Sequence, residues 1–143
     1  MRIVVDTSVL VAALRSANGA SAEVVRLALF QRFITLIDYK LACEYRAVAM
    51  RQQHLMVSGK TEEETALILD MLEAVAEPVN VRFRLRPLSQ DADDDMILDL
   101  AISGHANAIV TANTKHFREA APDFGIEVMT PQQLLLAIRK EGY

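Results

Sequence analysis

Three short, strongly apolar runs narrow the choice of fold more than any other feature of this chain. Ile3-Val4-Val5, Phe33–Ile37 and Ala108–Val110 are rich in β-branched residues, and each gives way at once to a polar residue: Asp6, Asp38 or Thr111. A strand with one wet face alternates polar and apolar residues. A strand that stays apolar is covered on both faces, as in a parallel sheet sandwiched by helices. The polar residue that ends such a strand then stands at the carboxyl edge of the sheet, where open α/β folds place their ligand sites.

The segments between the runs read as helices. A strand over about 2–6 leads into a short helix, Val9–Arg15, and a turn at Asn18-Gly19. Ser21 is placed to cap a helix over about 22–32. After the second strand a helix runs from Tyr39 to Gln53, with Leu41, Tyr45 and Val48 on its buried face. Ser58-Gly59 breaks the chain, and Thr61-Glu62-Glu63-Glu64 spells a capping box for the next helix, which Glu77-Pro78 ends. Val79, Val81, Phe83 and Leu85 alternate with polar residues, which predicts an edge strand with one wet face. An Asp-rich helix spans about 93–103, strands follow at 108–111 and 126–129, and Thr130-Pro131-Gln132-Gln133 opens a last helix. The order β-α-α-β-α-α-β-α-β-α-β-α implies a parallel α/β sheet with right-handed crossovers. At 143 residues this is a single domain, residues 1–143, with no internal repeat or linker.

Chemistry concentrates in the acids. Residues 91–95 read Asp-Ala-Asp-Asp-Asp, and Asp99 follows one turn after Asp95 on the same helical face. Asp6, Glu44 and this cluster all belong near the carboxyl edge of the sheet. Two carboxylates at about 4 Å repel by roughly 4 kcal/mol at an effective dielectric of 20. Convergence of three or four therefore calls for a divalent cation, and all-oxygen donors select Mg²⁺ or Mn²⁺. The plainer alternative is that Asp93–Asp95 only cap a helix against its dipole, with Glu44 a solvated helix residue. That alternative is weakest for Asp6, because a charge at the end of a central strand has little solvent to reach.

These strings resemble the PIN domain family, and within it the VapC-like toxin branch. VVDTSVLVAAL is similar to the family's opening strand, LACEYRAVAMR to its Glu-bearing helix, and DADDDMILDLAISGHANAIVTANTKHF to its third-acid helix and the strand after it. The resemblance runs nearly end to end. It implies a three-layer α/β/α fold on a five-stranded parallel sheet, Mg²⁺- or Mn²⁺-dependent cleavage of RNA, and a cognate antitoxin. Carried over by position, it makes Asp6, Glu44 and Asp95 the metal-binding catalytic acids, with Asp95 preferred to Asp94 for its interval to Thr111. Asn113 falls where many members hold a fourth Asp, His116 replaces an Asp that often precedes the Phe, and Asp99 is a further candidate ligand. By their place near the carboxyl edge, Thr7, Ser8 and Thr111 are candidates to support the ligands, and Lys40, Arg46 and Lys115 are candidate phosphate contacts, with solvated surface the alternative for each. Helices over about 39–77 are the surface expected to pair two copies of the chain or to take an antitoxin helix.

Rival functions are distinguishable. A receiver-type phosphoacceptor domain shares the sheet and an acidic Mg²⁺ pocket, but it needs paired acids after the first strand. A haloacid-dehalogenase-type phosphatase wants Asp-x-Asp there, and Ser8 occupies the second position. An enzyme-dead binding module would have no need of all three matched acids. The net charge of −4 gives no global attraction to nucleic acid or anionic membrane, although a local site can reverse the field. Cys43 is the sole cysteine, which excludes an internal disulfide and fits a reducing cytoplasm. The apolar N-terminal stretch contains Asp6 and reads as a strand rather than a signal peptide, and no run is long enough to span a membrane.

Overall fold

The computed structural model describes residues 1–81 and 92–141 of the chain. Its sheet has five strands, all parallel: β1 (Arg2–Val5), β2 (Ile34–Ile37), β3 (Glu77–Pro78), β4 (Ala108–Val110) and β5 (Glu127–Met129), in the order β3-β2-β1-β4-β5. The chain builds outward from β1 to one edge, then returns to build the other. β1 is thus the switch strand, and the crevice at its carboxyl end is the expected ligand position. Ile3, Val4 and Val5 are at most 1% exposed, so the run is covered on both faces as its composition requires.

The helices are α1 (Thr7–Arg15), α2 (Ala20–Leu29), α3 (Tyr39–Ala49), α4 (Gln52–Ser58), α5 (Glu62–Val75), α6 (Ala92–Ser103) and α7 (Pro131–Lys140). α2 packs on α1, α5 and α7, and α3 packs on α1 and α5. α6 lies against β1 and β2. The result is the three-layer α/β/α arrangement that the sequence implies. Among the described residues, no helix is long and apolar enough to cross a membrane.

Local chemistry explains most helix ends. Both capping boxes form: Thr61 with Glu64, and Thr130 with Gln133 behind Pro131. Asp38 is structural, since its carboxylate accepts from Leu41 N at 2.9 Å and starts α3. Gly104, where α6 ends, has no room for a side chain, because a Cβ there would stand 2.8 Å from Leu36 Cδ1.

Several expectations need correction. Gly19, not Ser21, is the N-cap of α2. The helix expected over 39–53 is two helices, broken at Met50–Arg51, because Met50 ends α3 and Arg51 starts α4 in extended backbone. The third strand is Glu77–Pro78, read from sequence as a helix stop. It pairs with β2 at the sheet edge, where a proline costs no ladder bond. Val79 and Val81 lie past it, and the rest of the predicted alternating strand lies outside the described residues. Two short 3₁₀ turns, Thr114–His116 and Ala121–Phe124, replace the helix expected between β4 and β5.

Candidate functional site

β1 delivers Asp6 to the carboxyl edge, and its backbone N–H, bonded to Val110 O at 2.9 Å, ties it to β4. Two hydroxyls hold its side chain. Ser8 Oγ donates to Asp6 Oδ2 at 2.8 Å, and Thr111 Oγ1 donates to the same oxygen at 2.7 Å. Each hydroxyl also accepts a backbone N–H from the loop after β4: Ala112 N on Ser8 at 3.1 Å and Asn113 N on Thr111 at 3.0 Å. The network thereby fixes one carboxylate oxygen of Asp6 and fastens the loop bearing Asn113 beside it. Oδ1 has no hydrogen-bond partner among the described residues.

α3 brings Glu44 to the same place, and Thr7 Oγ1 donates to Glu44 Oε2. The neighbouring Tyr45 is 1% exposed and its hydroxyl donates to Val5 O, pinning α3 to the last residue of β1. Burial, reinforced by the nearby charges of Asp6, Glu44 and Asp38, pushes the Tyr45 phenol well above its ordinary value of 10.0. The native state therefore keeps this proton where the unfolded chain releases it, so stability falls as pH rises above about 10. Tyr45→Phe is expected to cost about 1 kcal/mol at pH 7, the usual worth of such a bond. It should also lose less stability than wild type between pH 7 and pH 11 in urea denaturation.

Asp6, Thr7, Ser8, Glu44, Asp94 and Asn113 line one cleft of about 680 Å³. Among the described residues, the third acid on this cleft is Asp94 rather than Asp95. Asp94 heads the stripe Asp94–Ile97–Leu98–Ala101, spaced i, i+3, i+4, i+7, whose three apolar members are at most 1% exposed. Where that stripe reaches the carboxyl edge, the Asp94 carboxylate meets His116 Nδ1 at 3.2 Å. Asp95 and Asp99 lie about a third of a turn round α6. Each is 3% exposed, and neither is among the described residues lining this cleft.

The expected phosphate contacts are placed elsewhere. Arg46 reaches Asp70 at 2.5 Å and Glu73 at 3.0 Å, so its guanidinium bridges α3 to α5. Lys40 is exposed in the first turn of α3 and Lys115 in the 3₁₀ turn after Asn113, and neither lines the cleft. The cleft is lined instead by Arg15, Arg51, His54 and His116, which sequence reasoning did not single out as phosphate contacts. The signal that could have found the arginines is helical spacing. Ser8–Val11–Ala12–Arg15 and Glu44–Val48–Arg51 each repeat at i+3 or i+4 from a residue of the acidic end. Arg51 stands past the break between α3 and α4, and on α1 seven residues of helix carry the stripe roughly 10 Å. At that distance an acid and a guanidinium attract by only about 0.4–1.7 kcal/mol, for effective dielectrics of 80 to 20. The cleft is therefore polarised, with carboxylates at one end, arginines at the other and Val11, Ala12 and Val48 between.

The donor chemistry of the acidic end suits a hard divalent cation, because three carboxylates and an amide supply only oxygen for binding. Among the described residues, no three His, Cys, Asp or Glu side chains stand close enough to hold a metal as placed. Closing such a set requires side-chain rotation.

Residues 2–115 match the family model described as PIN domain. No curated protein matches the chain.

Proposed function

Because the chain belongs to the PIN domain family, whose fold is of nuclease type, we propose that it is a divalent-metal-dependent endoribonuclease and the toxin of a toxin–antitoxin pair. The observation that supports this best is the meeting of Asp6, Glu44 and Asp94, from three separate elements, on one cleft at the switch strand. These acids, with Asn113, would hold Mg²⁺ or Mn²⁺. When bound, such an ion neutralises charge on a phosphodiester and acidifies water at neutral pH. Ser8 and Thr111 orient Asp6, Thr7 orients Glu44, and Tyr45 sets the height of α3 against β1. Asp95 and Asp99 are assigned to the fold rather than to the ion.

The purified protein should cut a mixed single-stranded RNA pool internally when Mn²⁺ is present. An intact pool under those conditions contradicts the reading.

Partners belong to the same proposal. Tyr39, Met56, Val57, Leu67 and Met71 are large apolar side chains between 42% and 84% exposed, all within residues 39–77. We assign this surface to a homodimer, with an antitoxin as a further partner. Light scattering should give twice the 15.9 kDa chain mass. A strict monomer at high micromolar concentration rules the dimer out.

A further inference from the structure

Among the described residues, three arginines are paired with carboxylates: Arg2 with Glu77, Arg26 with Glu23, and Arg46 with Asp70 and Glu73. The two arginines that line the cleft are different. Neither the Arg15 nor the Arg51 side chain has a hydrogen bond or ion pair among the described residues, and both are exposed. Each ends a helical stripe that begins in the acidic end, one on α1 and one running from α3 to the start of α4. On α1, seven residues of helix set Arg15 roughly 10 Å along the axis from Ser8, while Arg51 follows the break after α3. Helical side chains lean toward the N-terminus of their helix, so Arg15 tilts back along the cleft toward Asp6.

We infer that Arg15 and Arg51 hold a second phosphate of the RNA strand, one that is not cut, while the acidic end addresses the scissile one. The inference rests on the proposed nuclease function and adds to it the residues that position the substrate. A guanidinium fork suits a phosphate and is the common protein partner for one. The apolar strip of Val11, Ala12 and Val48 between the two ends offers a surface for the intervening sugar or base. A minimal substrate therefore carries at least two phosphates, and a dinucleotide with a single phosphate would miss the arginines altogether.

Two readouts test this, one independent of cleavage. Binding of a labelled single-stranded RNA oligonucleotide to the Asp6→Asn protein is measured at several salt concentrations. Adding Arg15→Ala or Arg51→Ala should weaken binding about tenfold each. Removing both should flatten the slope of log affinity against log salt by about 0.7, the worth of the one phosphate they hold on a single strand. Arg15→Lys should recover part of the loss, and Arg32→Ala, beyond the opposite end of the sheet, should change nothing. In the cleaving protein, Arg15→Ala should raise KM and leave kcat within about twofold, because a contact to an uncut phosphate is equally strong in ground and transition states. Unchanged affinity and salt slope in the double variant overturn the inference, as does a fall in kcat at constant KM, which would put the arginines on the scissile group. If the wild-type chain neither binds nor cuts RNA, the nuclease reading fails first and takes this inference with it. If it cuts RNA and the arginine variants bind normally, only the inference fails.

Discussion

Asp6→Asn should abolish RNA cleavage while leaving the fold intact. The amide keeps the size of the carboxylate, and its oxygen can still accept from Ser8 Oγ and Thr111 Oγ1, which both bond Oδ2 in the native chain. What disappears is the negative charge, at the one acid delivered by the switch strand itself. Loss of activity should exceed the roughly 10–100-fold that changes behind a ligand cause. In EDTA the variant should be at least as stable as wild type, because one of three like charges around the cleft has gone. Thermal unfolding and cleavage assays on the same preparation check both halves. A variant that unfolds well below wild type in EDTA would show that Asp6 is chiefly structural.

The second large effect separates two adjacent residues. Asp94→Asn should cost activity on the scale of Asp6→Asn, with little change in stability, since Asp94 lies on the cleft beside His116. Asp95→Asn should do the reverse. The residue is 3% exposed inside the fold, and a buried charge survives only where the surroundings compensate it. Changing it therefore disturbs packing and polar balance, with a stability loss of about 1–3 kcal/mol and activity retained in the fraction that folds. Paired denaturation and cleavage measurements on the two variants decide the matter. Loss of cleavage in Asp95→Asn at unchanged stability, with Asp94→Asn active, would return the role to Asp95.

That pair also shows where the sequence ran out. The interval from Thr111 favours Asp95, but the choice depends on the rotational phase of α6. Residues 97–102 are apolar at every position except Asp99, so periodicity alone does not say which stripe meets the sheet. The place of Asp6 at the carboxyl edge was legible because a lone carboxylate directly follows a short run that is apolar throughout. The capping boxes were legible because both bonds are local and each residue type has one job. Glu77–Pro78 was not, since a two-residue edge strand leaves no periodic trace and proline there reads as a stop. Arg51 was hidden for a related reason. Its spacing from Glu44 is helical, yet it stands past the break at Met50, so its place on the cleft emerges only when α3 and α4 are positioned together. Arg46 looked available because the sequence does not show that α5 brings Asp70 and Glu73 against it.

The central claim, metal-dependent cleavage by the Asp6 cleft, is tested most directly by stripping the protein of divalent ions and adding Mn²⁺ back in steps to wild type and Asp6→Asn, each with the same mixed RNA pool. Wild type should be silent in EDTA and recover cleavage as Mn²⁺ rises, while Asp6→Asn stays silent across the same range. Undiminished cleavage in EDTA, or equal recovery by Asp6→Asn, would contradict the account.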